Sequence, residues 1–302
     1  MVILPGALDE MQKNRQYVDI CASVALRKEF PVTDDSLIPG RNPLSEIDTT
    51  VPHSARIWNY WLGGKDNYPA DRKAGEEFCK IYPGMIDVAR AVRHFLARAV
   101  RYLAGEAGIR QFLDIGTGLP TVDNTHEIAQ RVAPESRIVY VDNDPLVLAH
   151  ARALLTSTSQ GATDYIDADL HEPDAILEAA ARTLDFSRPV ALMLLGIMAH
   201  IDDDAQVRSI LDRLLDALPS GSHLVLSDGT DTDKAREEAH QRYNAGGAVP
   251  YLLRSPEQIT GFFDGLELLE PGVVSVSRWR PEPSPFGRPA EVSTFGGVAR
   301  KA

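Results

Sequence analysis

The chain has 302 residues, of which 43 are acidic and 31 basic, for a net charge of −12; 44% are hydrophobic and 25% charged. Such a balance belongs to a water-soluble globular protein and argues against a general binder of nucleic-acid backbones, which draws on surplus positive charge. No apolar run reaches the roughly 18 residues of a membrane span, no basic start followed by an apolar core marks a secretion signal, and Cys21 and Cys79 make neither a CxxC nor a disulfide framework. A cytoplasmic protein, off the membrane and without a metal site, is the expectation.

Residues 1–50 carry little pattern. A short helix is expected within Met11–Phe30, and Pro31 to Thr50, rich in Pro, Asp, Ser and Thr, reads as an extended or partly disordered arm. The next segment, His53 to Tyr68, holds two tryptophans and two tyrosines, and its short helix stops at Gly63-Gly64. Pro69 to Tyr82 predicts a second helix, closed by Pro83-Gly84. Met85 to Ala104 predicts a third: Ile86, Ala89, Val92, Leu96, Ala99 and Leu103 recur at spacings of three and four, the mark of one buried face. Arg90, Arg93, Arg98 and Arg101 lie mostly off that face, on a solvated side. Residues 51–105 therefore read as a helical lid or cap, and 106–302 as an α/β domain.

Within that domain strands and helices alternate. Gln111–Ile115, Arg137–Val141, Asp164–Ala168, the apolar run Val190–Leu195 and His223–Ser227 predict five strands. Between them Thr125–Val132, Leu146–Leu155, Asp174–Leu184 and Asp202–Leu218 predict helices, the last with Val207, Ile210, Leu211, Leu214, Leu215 and Leu218 on one stripe. Ser255, Pro256 and Gln258 form a capping box that opens one more helix. Leu266–Leu269 and Val273–Arg278 read as two strands closing a hairpin around Pro271-Gly272, with Val292–Val298 as an added edge strand. Alternation of this kind predicts a doubly wound, mostly parallel sheet, whose ligand sits at the carboxyl ends of the strands.

Four strand ends supply the candidate site. Phe112-Leu113-Asp114-Ile115-Gly116-Thr117-Gly118 is an apolar strand that ends in an acid and breaks into a Gly-x-Gly turn, where backbone N–H groups approach a ligand closely. The second strand ends in Asp142-Asn143-Asp144-Pro145. Asp142 suits a ribose diol, because one carboxylate accepts two hydrogen bonds; Asp144, just before a proline, suits the cap of the next helix. After the third strand, Asp169 is placed to accept from an adenine amino group and the Leu170 N–H to donate to a ring nitrogen. A nicotinamide dinucleotide fits less well. Thr121 stands where a third glycine is usual, Pro120 removes a backbone donor, and Asp114 would repel a pyrophosphate while attracting an ammonium. A ribose, an adenine and a cationic amino-acid tail together describe S-adenosylmethionine.

Asp114-Ile115-Gly116-Thr117-Gly118, the Val141–Pro145 stretch, Ala168-Asp169-Leu170 and the final strands resemble class I S-adenosylmethionine-dependent methyltransferases. More narrowly, Arg56-Ile57-Trp58-Asn59-Tyr60-Trp61-Leu62-Gly63-Gly64-Lys65-Asp66-Asn67-Tyr68 with Asp71-Arg72, Gly118–Thr121 with His126, and Pro271-Gly272 followed by Trp279-Arg280-Pro281 resemble a bacterial S-adenosyl methyltransferase family of unassigned substrate. The resemblance covers residues 52–282. It implies a seven-stranded sheet with the last strand antiparallel, a Rossmann-like methyltransferase with an N-terminal helical extension. It also implies cofactor contacts at Asp114, Gly116, Gly118, Asp142, Asn143, Asp169 and Leu170, with Thr117 in the same loop.

Methyl transfer needs nucleophile, methyl and sulfur in line with water kept out, and an oxygen or nitrogen nucleophile also gives up a proton. His200, just past the fourth strand, is the candidate base; His126, in the helix beside the glycine loop, is the weaker one. Arg56 is expected to pair with the methionine carboxylate, and Tyr60 with its aromatic neighbours to wall the methyl site, in a lid hinged at Gly63-Gly64. Asp228 to Leu253 reads as a substrate cover or a plain insertion. The expected function is methyl transfer to an oxygen or nitrogen of a small molecule. The alternatives are an S-adenosylmethionine-binding protein without turnover and an NAD(P)-dependent oxidoreductase. The acceptor and the oligomeric state stay open.

Overall fold

The computed structural model describes residues 47–302, apart from Val122, Leu155 and Phe286. The helix expected within Met11–Phe30 and the arm up to Glu46 lie outside the described residues. Three helices come first: α1 (Ser54–Trp61), α2 (Pro69–Ile81) and α3 (Met85–Gly105). Then β1 (Gln111–Ile115), α4 (Thr125–Val132), β2 (Arg137–Asp142), α5 (Pro145–Leu154), β3 (Ala162–Asp167), α6 (Pro173–Ala180), β4 (Ala191–Leu195), α7 (Asp204–Asp216) and β5 (His223–Gly229) follow in the expected alternation. The chain continues through α8 (Lys234–Asn244), α9 (Pro256–Gly261), β6 (Glu267–Leu268), β7 (Val274–Ser275) and β8 (Thr294–Arg300).

The strands lie in one sheet in the order β3-β2-β1-β4-β5-β8-β6, with β7 also on β8. The first five are parallel, and β8 runs antiparallel to β5. Side chains alternate between the faces, as the period of two requires. Phe112, Ile138, Tyr140, Met193 and Val225 meet α3 and α4 on one face. Leu113, Val139, Val141, Leu192 and Leu226 meet α6, α7 and α9 on the other. Both faces are covered, which is why these strands read as unbroken apolar runs. On α3, Phe95 and Leu103 are fully buried in the first layer; removing such a side chain costs roughly 3–5 kcal/mol.

Three expectations are corrected. First, Leu266–Leu269 and Val273–Arg278 do not pair with each other. Both lie antiparallel along the same side of β8, so they form one edge interrupted at Pro271-Gly272. Val292–Val298 is accordingly no edge: β8 is inserted between β5 and that edge. Its composition explains the place. Val298 and Ala299 are fully buried, and a Cβ at Gly296 would fall 2.5 Å from that of Ser227. Counting the interrupted edge once leaves seven strand positions.

Second, α8 occupies part of the stretch read as a substrate cover or an insertion. Asp233 caps it, accepting from Ala235 N and Arg236 N. Its buried positions are Arg236, Ala239 and His240, a mostly polar face that gives no apolar period. Third, two of the four α3 arginines are anchored instead of solvated. Arg98 donates to the carbonyls of Trp279 at 2.8 Å and Val276 at 2.6 Å, and Arg93 to that of Asp123 at 2.8 Å. No helix among the described residues is long and apolar enough to cross a membrane.

Candidate active site

The carboxyl ends of β1, β2 and β4, with the loop after β3, open into a cavity of about 330 Å³, the size range of a cofactor pocket. Its floor is the turn after β1. Gly116 and Gly118 take φ of +74° and +67°, a region that side chains other than glycine enter at a cost. A Cβ at Gly116 would also come 2.7 Å from Ile197. This conformation turns the Gly118 N–H onto Asp142 Oδ2 at 2.8 Å.

Asp142 Oδ1 accepts from Asp144 N at 3.1 Å. Each carboxylate oxygen thus accepts one backbone N–H and keeps capacity for a further donor, in a residue that lines the cavity. Burial pushes the Asp142 carboxyl up despite those two N–H groups. Asp144 faces elsewhere. Its Oδ1 accepts from Leu146 N at 2.8 Å, capping α5, and its Oδ2 lies 2.9 Å from His53 Nδ1. Asp144 is the helix cap that its place before Pro145 predicts, and Asp142 is the one of the pair that lines the cavity.

Asp114 also faces the cavity. Its Oδ2 accepts from Thr125 Oγ1 at 2.6 Å. Burial raises its carboxyl to about 6, against the pull of Thr125 and Arg93. Thr117 Oγ1 donates back to the Asp114 carbonyl at 3.0 Å, closing the turn. Asn143, Asp169 and Leu170 line the same cavity. Asp169 accepts from His171 N at 2.9 Å; burial raises its carboxyl, but the hydrogen bonds from His171 outweigh it and the net shift is downward.

His200 closes the far lip. Its Nδ1–H donates to the Pro250 carbonyl at 2.8 Å, since a carbonyl can only accept. The ring stands edge-on to Tyr251 at 5.2 Å. Burial holds its pKa below the ordinary imidazole value, so at neutral pH Nε2 is an available acceptor. His126 is elsewhere: its backbone N–H donates to the Tyr140 hydroxyl at 2.7 Å, and its ring nitrogen lies 2.8 Å from the same oxygen.

Arg56 and Tyr60 are not on the cavity wall. From α1 and its C-terminal cap the wall takes Ser54, Ala55, Trp58, Asn59 and Leu62, a face repeating at three and four residues. Ile57 and Trp61 face the core. Arg56 and Tyr60 fall on the remaining side. Arg56 donates to the carbonyls of Asp48 and Val51 at 3.2 Å, and its Nε lies 3.7 Å from both Asp71 and Asp144. The Tyr60 hydroxyl lies 3.3 Å from Glu76 Oε1. Of the aromatic residues expected to wall the methyl site, Trp58 lines the cavity; His53, Arg93 and Ile197, which sequence reasoning did not single out, line it too. The helical phase of α1 separates Trp58 from Tyr60 and Trp61; nothing local marked His53.

Residues 41–302 match the family described as S-adenosyl methyltransferase. Two solved structures resemble the chain over most of its length. A DUF574-family protein from Streptomyces avermitilis MA-4680 is 47% identical, with a TM-score of 0.81; the match covers 84% of this chain and 99% of that one. A candidate methyltransferase from Thermobifida fusca YX is 42% identical, with a TM-score of 0.77, covering 84% of this chain and 96% of that one. No curated protein matches. With a doubly wound sheet that opens its glycine turn and strand-end acids into one cavity, and a match that runs through residues 41–302, the chain belongs to the S-adenosyl methyltransferase family and is an S-adenosylmethionine-dependent enzyme.

Proposed function

We propose that the protein methylates an oxygen or nitrogen of a small molecule, held between the cofactor loops and His200. The observation that carries this reading is the single cavity shared by the glycine turn, Asp114, Asp142 and His200. S-adenosylmethionine would supply a sulfonium methyl, whose carbon bonds to the acceptor's oxygen or nitrogen as its bond to sulfur breaks and the neutral thioether leaves.

The residues fit that cofactor. Asp142 offers its remaining lone pairs to the ribose hydroxyls. Asp114, once ionised, faces the ammonium of the amino-acid tail. Leu170 N–H and Asp169 take the adenine edge, with Asn143 beside them. His200 Nε2 accepts the hydrogen bond, and then the proton, of the acceptor's hydroxyl or amine. Ser54, Trp58 and Leu62 make α1 the roof that excludes water, which supports reading residues 51–105 as a lid. The net charge of −12 supports a small molecule over a nucleic acid as acceptor.

The test is release of S-adenosylhomocysteine from the purified protein with S-adenosylmethionine and panels of phenols, alcohols and amines. One panel is expected to give turnover. His200→Ala is expected to lower kcat roughly 100-fold or more and leave S-adenosylhomocysteine affinity unchanged. An unchanged kcat would remove His200 from the reaction.

A further inference from the structure

His53 stands at the N-terminal end of α1, and two buried acids hold it. Its backbone N–H donates to Asp71 Oδ1 at 2.9 Å, which sets where the helix starts. Its ring Nδ1 lies 2.9 Å from Asp144 Oδ2. Asp144 is itself immobile: it is 3% exposed, its other oxygen caps α5, and Arg56 Nε lies 3.7 Å away. A ring nitrogen anchored on a fixed carboxylate sets the orientation of the whole imidazole. The opposite nitrogen, Nε2, belongs to a side chain that lines the cofactor cavity.

The neighbourhood says which part of the cavity this is. Ala55, two residues on, packs with Leu119 of the turn after β1 and with Leu146 and Val147 of α5. Three segments therefore converge on one spot: the start of α1, the turn carrying Gly118, and the Asp142–Val147 stretch. Gly118 and Asp144 are the two residues whose N–H groups hold the Asp142 carboxylate. His53 is close enough to both Asp142 and His200 to interact with each electrostatically.

We propose that His53, oriented by Asp144, is a second ribose contact of the cofactor site, its Nε2 hydrogen-bonded to one of the two hydroxyls that Asp142 receives. The inference rests on the assignment of Asp142 to the ribose. A diol held by a carboxylate on one side and an imidazole on the other is recognised at both hydroxyls, so ligands lacking one of them are discriminated against.

The test is calorimetric titration of the full chain with S-adenosylhomocysteine and its 2′-deoxy and 3′-deoxy analogues, using wild type, His53→Ala, His53→Gln and Asp142→Asn. His53→Ala is expected to weaken S-adenosylhomocysteine about tenfold. The same substitution is expected to cost nothing against the analogue that lacks the hydroxyl His53 meets, and His53→Gln to recover part of the loss. Equal weakening of all three ligands would make His53 only a support for α1 and would overturn the proposal, as would no weakening at all. Wild-type affinity in Asp142→Asn would instead overturn the ribose assignment itself.

Discussion

The turns after β1 and β2 and the helical pair α1–α2 use polar groups in opposite ways. In the turns, backbone N–H groups hold the carboxylate of an acid that lines the cavity, Asp142. In the helical pair, polar side chains are engaged within the pair itself, with its backbone and with one another. Asp71 accepts from His53 N and Tyr68 N, Asn59 accepts from Asp66 N and Asn67 Nδ2, and Arg72 donates to Asn67. Arg56 is enclosed by two carbonyls and two carboxylates. A dense signature of charged and aromatic residues therefore need not contact the ligand. Here it fixes the angle at which Trp58 and Leu62 roof the cavity.

The largest expected effect separates the two regions at once. With Asp142 on the ribose, as proposed, Asp142→Ala would remove two charge-assisted bonds, worth about 3 kcal/mol or more together, so S-adenosylhomocysteine affinity should fall at least roughly 100-fold by calorimetry. Arg56→Ala should do the reverse. It removes the buried cation beside Asp71 and Asp144, a loss of about 3 kcal/mol. The unfolding midpoint should fall by roughly ten degrees, while affinity in the folded protein changes by less than a few-fold. Collapse of affinity with an unchanged midpoint would make Arg56 a ligand contact.

A smaller effect sharpens the picture of the helical pair. A Cβ at Gly64 would lie 2.3 Å from Asn59 Nδ2, so Gly64→Ala displaces the side chain that ties down Asp66 and Asn67. About 1–2 kcal/mol of stability should be lost in denaturant titration. A neutral result would mean that the Asn59 bonds contribute little.

The fourth effect is a matter of pH and belongs to the turns. Asp114 has a carboxyl raised by burial to about 6. If its anion meets the cofactor ammonium, affinity should fall about tenfold between pH 7 and pH 5, and Asp114→Asn should flatten that dependence. The ligand-free protein should move the other way. A carboxyl raised on folding adds stability at low pH, and that contribution is lost as pH rises through about 6. The ligand-induced rise in unfolding midpoint should therefore grow from pH 5 to pH 7. A constant rise would separate Asp114 from the tail.

What was legible in the sequence was local. Gly116 and Gly118 mark positive φ, an acid at the end of an apolar strand marks a strand end facing a ligand, and Asp-Pro after Asp142 marks a helix cap. Each of these is decided within a few residues. Arg56 and Tyr60 were assigned to the cofactor because helical spacing shows which residues share a face but not which face meets the cavity. The place of β8 depends on pairing with β5 and β6 from distant parts of the chain, and only Gly296-Gly297 hinted at a crowded interior. α8 escaped because its buried face carries Arg236 and His240 in place of an apolar stripe. His53 escaped because its meaning lies in Asp144, which only folding brings beside it.

The most direct measurement is a crystal structure with S-adenosylhomocysteine bound. The account predicts both ribose hydroxyls on the Asp142 carboxylate, the amino group at Asp114, and the adenine against Asn143 and Leu170, with Arg56 still enclosed by Asp71 and Asp144. A ribose on Asp144, or a nucleoside lying away from the Gly116–Gly118 turn, would contradict it.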